Sequence, residues 1–195
     1  QDIMNVLEYE TVEDGTIKIT RYDSTNASYV IPSEIDGKKV TVIGKKAFKE
    51  CNMLKSVTIP DTVKTIENYA FADCERLITV VLGNSVETIG YRSFGDCENL
   101  KSINFPNSLI SISNNAFIRC FALEKIEIPD SVTSIGNYAF SDCTGVQSIT
   151  IGDGEVTIGE YAFGWCLKAT KITLGKNVKE LKNYAFYACD KAESF

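Results

Sequence analysis

Ile135-Gly136-Asn137-Tyr138-Ala139-Phe140-Ser141-Asp142-Cys143 is one copy of a segment that the chain repeats along its length. It recurs as Ile66-Glu67-Asn68-Tyr69-Ala70-Phe71-Ala72-Asp73-Cys74, and again from Leu181 to Cys189. All seven cysteines belong to the pattern: Cys51, Cys74, Cys97, Cys120, Cys143, Cys166 and Cys189, each 23 residues after the last. The phenylalanines three positions earlier, from Phe48 to Phe186, keep the same step. A fixed period of this length without insertions marks a solenoid, in which every repeat is one coil stacked on its neighbours.

One coil, Val63 to Ser85, shows how the period is used. Its recurrent apolar positions are Val63, Ile66, Ala70, Phe71, Cys74, Leu77, Val80 and Leu82. The ending Leu77-x-x-Val80-x-Leu82 has the period of two of a short strand with Val80 and Leu82 inward. Pro60, Gly83, Pro106, Pro129, Gly152 and Gly175 follow that strand in successive coils and turn the chain out of the ladder. A second extended piece covers Val63 to Ile66. The spacing then predicts one helical turn or slightly more over Asn68 to Cys74, with Ala70, Phe71 and Cys74 on its inner side.

The residue beside each phenylalanine is small: Ala47, Ala70, Ser93, Ala116, Ala139, Ala162 and Ala185. Backbone must pass close to backbone there, and a larger side chain would splay the stack. The phenylalanine rings are expected to form a continuous spine, with strands of adjacent coils ~4.8 Å apart in a parallel ladder.

Residues 1–39 depart from the repeat. Leu7 to Val12 and Thr16 to Thr20 alternate apolar and polar residues around Glu13-Asp14-Gly15, which is a strand, turn, strand signature. Tyr29-Val30-Ile31-Pro32 mimics Val57-Thr58-Ile59-Pro60, but an insertion around Ser33 to Lys38, with Asp36-Gly37 as its turn, interrupts this degenerate first coil. The segment reads as a cap over the first face of the stack. Two departures lie further on. Glu155 stands where the repeat wants an apolar residue and Val156 comes one position late, so a local shift after Gly152-Asp153-Gly154 is expected. The leucine column also decays, from Leu54, Leu77, Leu100 and Leu123 to Val146, Ala169 and Ala192. At Gln1 the chain lacks an initiator Met, and it stops at Phe195 where another strand would begin; a processed or truncated product is expected.

Composition excludes several classes of function. The net charge is −6 with a pI near 4.8, and the Lys and Arg residues are scattered, so no phosphate-binding footprint exists and no nucleic-acid partner is expected. No apolar run reaches membrane-spanning length. There is no histidine, which removes the commonest general base and metal ligand together. An odd number of cysteines at equivalent positions, without a C-x-x-C clip, reads as a buried core column; a redox or metal array is the alternative. Asp153 and Glu155 flank a turn that reads as solvated rather than as a calcium loop. Asn26-Ala27-Ser28 is a glycosylation sequon, relevant only to a eukaryotic secretory host.

The run Leu123, Ile126, Ile128, Pro129, Val132, Ile135, Ala139, Phe140, Cys143 resembles the BspA-like, Treponema-type leucine-rich repeat, as do the other coils. The resemblance implies an α/β, right-handed leucine-rich repeat solenoid of 23-residue coils, a parallel β ladder plus short helical turns, closed by an N-terminal β-hairpin cap. On that reading residues 1–39 are the capping hairpin and degenerate first coil, and residues 40–195 an array of seven coils with the last incomplete. It also implies a non-catalytic, secreted or cell-surface protein without cofactor or metal, adhesin-like, with a protein or glycan ligand such as host matrix or another cell. A structural spacer that displays other domains is the alternative.

Two places are candidates for partner binding. The outward side chains of the strand form columns that include Ser102, Asn104, Lys125 and Glu127, and leucine-rich repeats commonly bind on this face. Phe121 and Trp165 flank inward cysteines at positions that most coils fill with polar groups. They read either as exposed anchors or as patches over the core weakened at Val146 and Ala169.

Overall fold

The structure, a computed structural model, describes residues 5–193. The chain ends discussed above, Gln1 and Phe195, lie outside the described residues. Strands β1 (Val6–Thr11) and β2 (Ile17–Asp23) form the antiparallel hairpin that the alternation predicts, with a bulge between Glu8 and Tyr9. β3 (Ser28–Val30) pairs in parallel with Ser56–Thr58, Tyr29 opposite Val57 and Val30 opposite Thr58, in the register of the sequence match. β4 (Glu34–Ile35) folds back on β5 (Lys38–Ile43) through Asp36 and Gly37, both in the left-handed region at φ 52° and 76°. Two consecutive positive φ values give the turn whose twist suits a tight hairpin. β5 runs across position 39 and joins hairpin to array, pairing with β2 on one side and Thr65–Ile66 on the other.

From there two ladders climb the coils. The second extended piece of each coil, as in Thr65–Ile66 and Ser134–Ile135, belongs to one 10-stranded sheet that starts at β1 and ends at Glu180–Leu181. The other ladder divides into a four-stranded sheet ending at Ser102–Ile103 and a three-stranded sheet beginning at Lys125–Ile128. Between the ladders lies one continuous apolar core. Its spine is the phenylalanine column: Phe71, Phe94, Phe117, Phe140, Phe163 and Phe186 stack with ring centres 5.0–5.2 Å apart and planes within 6°. Tyr22 lies 4.8 Å from Phe48 and Tyr29 lies 4.3 Å from Tyr22, ring centre to ring centre, so the N-terminal segment extends the spine with tyrosines.

The predicted helical turns are absent: no described residue is helical, and the class is all-β rather than α/β. The cause lies in the backbone. Tyr69 and Asp73, four residues apart, both have φ near +60°, and equivalent residues do so in every coil. A left-handed residue every fourth position breaks the right-handed spiral. The hydrogen bonds then alternate. Ala70 and Ala72 donate to the carbonyls of Glu67 and Tyr69 within the turn, whereas Tyr69, Phe71 and Asp73 donate to Tyr91, Ser93 and Gly95 of the next coil at 2.7–2.9 Å. Inter-coil pairing thus satisfies groups that a helix would have satisfied internally.

Each cysteine closes its turn on the coil below. Cys74, Cys97, Cys120, Cys143, Cys166 and Cys189 donate Sγ–H to the carbonyls of Phe48, Phe71, Phe94, Phe117, Phe140 and Phe163 at 3.1–3.6 Å. All seven are free thiols; six are buried and Cys51 is half-buried. At coil six the expected shift is present: Val156 is buried and Glu155 exposed. Gly154 permits it, since a Cβ there would stand 2.0 Å from the Asp130 carbonyl oxygen.

Candidate functional site

The strand face gathers three of its four candidate residues around the break in its ladder. At coil three the strand ends at Ile103, and the side-chain amide of Asn104 takes over: it accepts from Leu82 N–H at 2.7 Å and donates to Leu82 O at 2.9 Å. Phe105 turns its ring edge-on to Phe117 and Phe140, at 5.6 and 6.1 Å. A shallow cavity of about 260 Å3 opens there, lined by Asn104, Phe105, Lys125 and Glu127 among others. Lys125 and Glu127 pair at 3.4 Å with side chains two-thirds exposed, a contact worth little by itself. Ser102 stands on the same face, paired in register with Thr79.

Phe121 and Trp165 make no ring contact with each other among the described residues. Phe121 is 38% exposed and has no ring partner among the described residues. Trp165 is half-buried, with its ring parallel to Tyr161 at 5.3 Å and edge-on to Tyr187 at 5.2 Å. Its company is a cluster that the sequence reasoning missed. Tyr138, Tyr161 and Tyr184 occupy the left-handed position two residues before phenylalanine, and successive rings stack at 5.2 and 5.1 Å. Tyr187 adds edge contacts to Tyr161 and Tyr184 at 5.7 Å. Tyr138, Tyr184 and Tyr187 are exposed, so the cluster forms an outward aromatic face over coils five to seven. The signal was present as Tyr69, Tyr138, Tyr161 and Tyr184 in one column; what pointed the column outward was the backbone, which the sequence does not display.

Charge is organised on the same turn side. Arg119 forks onto Asp96 through Nε and Nη2, and Arg92 reaches the same carboxylate at 2.7 Å. Burial pushes the Asp96 carboxyl up, but the hydrogen bonds and charges of Arg119 and Arg92 outweigh it and hold the group below the usual carboxylate range. Crowding by its neighbours pushes the Tyr161 phenol up, with Tyr184, Tyr138 and Tyr187 adding to the effect. Burial pushes the Cys51 thiol up to about 12, and Cys97 and Cys120 also rise by burial.

The Asp153 carboxylate accepts from Lys176 N–H at 3.0 Å, and Asp153 N–H in turn donates to Asp130 at 2.7 Å, so these acids tie coil to coil. Among the described residues no group of three or more Cys, Asp or Glu is placed to hold a metal ion, and no helix is long and apolar enough to cross a membrane.

Comparisons with known proteins agree with this architecture. The family model described as BspA type Leucine rich repeat region matches residues 22–144 and 110–195. A Treponema pallidum leucine-rich repeat protein of known structure is 30% identical with a TM-score of 0.90, over 95% of this chain and 87% of that one. A Bacteroides ovatus leucine-rich repeat protein is 31% identical with a TM-score of 0.86, over 99% of this chain and 52% of its own. A leucine rich cell surface protein from Faecalibacterium prausnitzii is 28% identical with a TM-score of 0.71, over 89% of this chain and 55% of its own. The chain thus spans about half the length of the last two. No curated protein matches it.

Proposed function

The chain belongs to the BspA-type leucine-rich repeat family, and we propose that it is a non-catalytic, secreted or cell-surface module that binds a protein partner in the manner of an adhesin. The fold is one used for protein interaction. The observation that carries the reading is the aromatic face of Tyr138, Tyr161, Tyr184, Tyr187 and Trp165. The phenylalanine spine already fills the core, and although Tyr69 shares the tyrosine column, that position is Lys46, Arg92 and Asn115 in other coils and the Trp165 position is Glu50 and Asp96, so the repeat does not require aromatics there. Clustered, partly exposed Tyr and Trp are typical interface anchors. The surface location draws support from the Faecalibacterium relative described as a cell surface protein.

A second reading places the partner on the strand face, at Ser102, Asn104, Lys125 and Glu127, and is favoured by the cavity at the ladder break. The spacer alternative draws on the continuous 10-stranded sheet, which makes a stiff rod. To test the proposal, wild type and a Tyr161→Ala/Trp165→Ala variant are immobilised and exposed to purified extracellular-matrix proteins and intact host cells. Saturable capture by wild type that the variant loses supports the aromatic face. Capture lost instead on charge reversal at Lys125 and Glu127 moves the site to the strand face. Folded protein that captures neither matrix protein nor cell leaves the spacer.

A further inference from the structure

The column before each cysteine reads Asp73, Asp96, Arg119, Asp142, Trp165 up the coils. Where arginine follows aspartate by one coil the two join, Arg119 Nη2 reaching Asp96 at 3.0 Å with Nε on the other oxygen. Asp142 is followed by Trp165 instead. It has no ion pair among the described residues, and its Oδ2 accepts from the Ser141 hydroxyl at 2.8 Å. Arg119, one coil below, spends its hydrogen bonds on Asp96 and reaches Asp142 only through its charge. Backbone pairing fixes the next coil beside it, since Asp142 N–H donates to Gly164 O at 2.9 Å, immediately before Trp165. A carboxylate thus stands one coil from a partly exposed indole.

The chain also shows what its outward rings accept. The ammonium groups of Lys46 and Lys49 lie 5.9 and 5.8 Å from the ring centre of Tyr69, which stands in the same column as Tyr138 and Tyr161. No cation of the described residues sits over the rings of coils five to seven. We propose that Asp142 together with the Trp165–Tyr161 cluster is a receptor for an arginine side chain carried on a basic segment of a protein partner.

The guanidinium donates its N–H fork to the Asp142 carboxylate, as Arg119 does to Asp96, and lies against the indole. Lysine fits less well, because a point charge lacks the fork and the plane. The net charge of −6 steers a basic segment toward the protein. This inference rests on the binding-module reading and specifies the partner's chemistry.

Trp165 is the only tryptophan in the chain, so its fluorescence reports on this site alone. The full chain is titrated with an oligo-arginine peptide and with its citrulline counterpart, and affinities are measured in parallel by calorimetry. The expected result is a saturable change in emission with arginine and none with citrulline. Asp142→Asn should weaken binding about tenfold, while Glu13→Gln, which removes the same charge from the exposed cap turn, should not. Circular dichroism checks that each variant is folded. Equal weakening by both variants means bulk electrostatics and overturns the proposal, as does equal binding of citrulline. A response to neutral oligosaccharides but not to arginine identifies a glycan site and overturns it too. Capture of a matrix protein that survives Asp142→Asn and Trp165→Ala leaves the module reading intact while removing this inference.

Discussion

Ser93 sits where six other coils carry alanine, and replacing it with alanine should stabilise the protein. Its residue is 0% exposed, and Oγ has no hydrogen-bond partner. The backbone at that point is fully engaged: Ser93 N–H donates to Gly90 O at 3.2 Å and its carbonyl accepts from Phe71 N–H at 2.7 Å. The substitution therefore removes one buried, unpaired hydroxyl and nothing else. Relief of that desolvation is worth ~1–3 kcal/mol. The void left by one oxygen, on the order of 10 Å3, costs only ~0.2 kcal/mol at ~24 cal/mol per Å3. A net gain near 1 kcal/mol corresponds to ~2–4 °C in Tm for a chain of this size. Urea and thermal unfolding followed by circular dichroism measure it. The converse change, Ala116→Ser, puts the same hydroxyl into the equivalent site one coil on and should cost a similar amount. If Ser93→Ala lowers stability by 1 kcal/mol or more, Oγ has a partner, such as a bound water, and the reasoning is wrong.

Four other perturbations probe the coil geometry. Gly154→Ala drives a Cβ to 2.0 Å from the Asp130 carbonyl and should destabilise by at least ~1–3 kcal/mol in urea unfolding; near-neutral behaviour would mean the crossing is loose. Native protein at pH 8 should leave its thiols almost unlabelled by a thiol reagent, whereas denatured protein should react at all seven. Because the Cys51 thiol is raised to about 12 from an ordinary 9.0, stability should hold below pH 9 and fall as pH rises from there toward 12. A profile flat across that window contradicts the buried thiol column. Asp96 is held below its ordinary 3.8, so its contribution is present above that pH and is lost as pH falls through the lowered value. Asp96→Asn should cost ~1.5–3 kcal/mol at neutral pH and make the acid limb of a stability–pH profile shallower; an unchanged limb would show that the pair contributes nothing.

The period, the spine and the N-terminal hairpin were legible because each is written in side-chain identity. Phe48 to Phe186 keep one spacing, and the likeness of Tyr29-Val30-Ile31-Pro32 to Val57-Thr58-Ile59-Pro60 became a strand pairing in that register. Val156 replaced the missing apolar residue as its lateness implied. The turn was misread because Ala70, Phe71 and Cys74 have helical spacing, while left-handed φ falls on Tyr69 and Asp73, residues with no glycine-like signal. The same blind spot hid the binding candidate, since outward tyrosines follow from that backbone. Asn104 looked like a free polar group of the strand face; in the fold its amide substitutes for a missing strand partner, a role visible only once the ladder break at coil three is known.

Hydroxyl-radical footprinting of the protein with and without a captured partner separates the two faces, because the strand face and the turn face carry different oxidisable side chains. Trp165, Tyr138 and Tyr187 should be protected on partner binding, with Phe105 at the ladder break unchanged. Protection at Phe105, with Trp165 and the tyrosines as reactive as in the free protein, would contradict it.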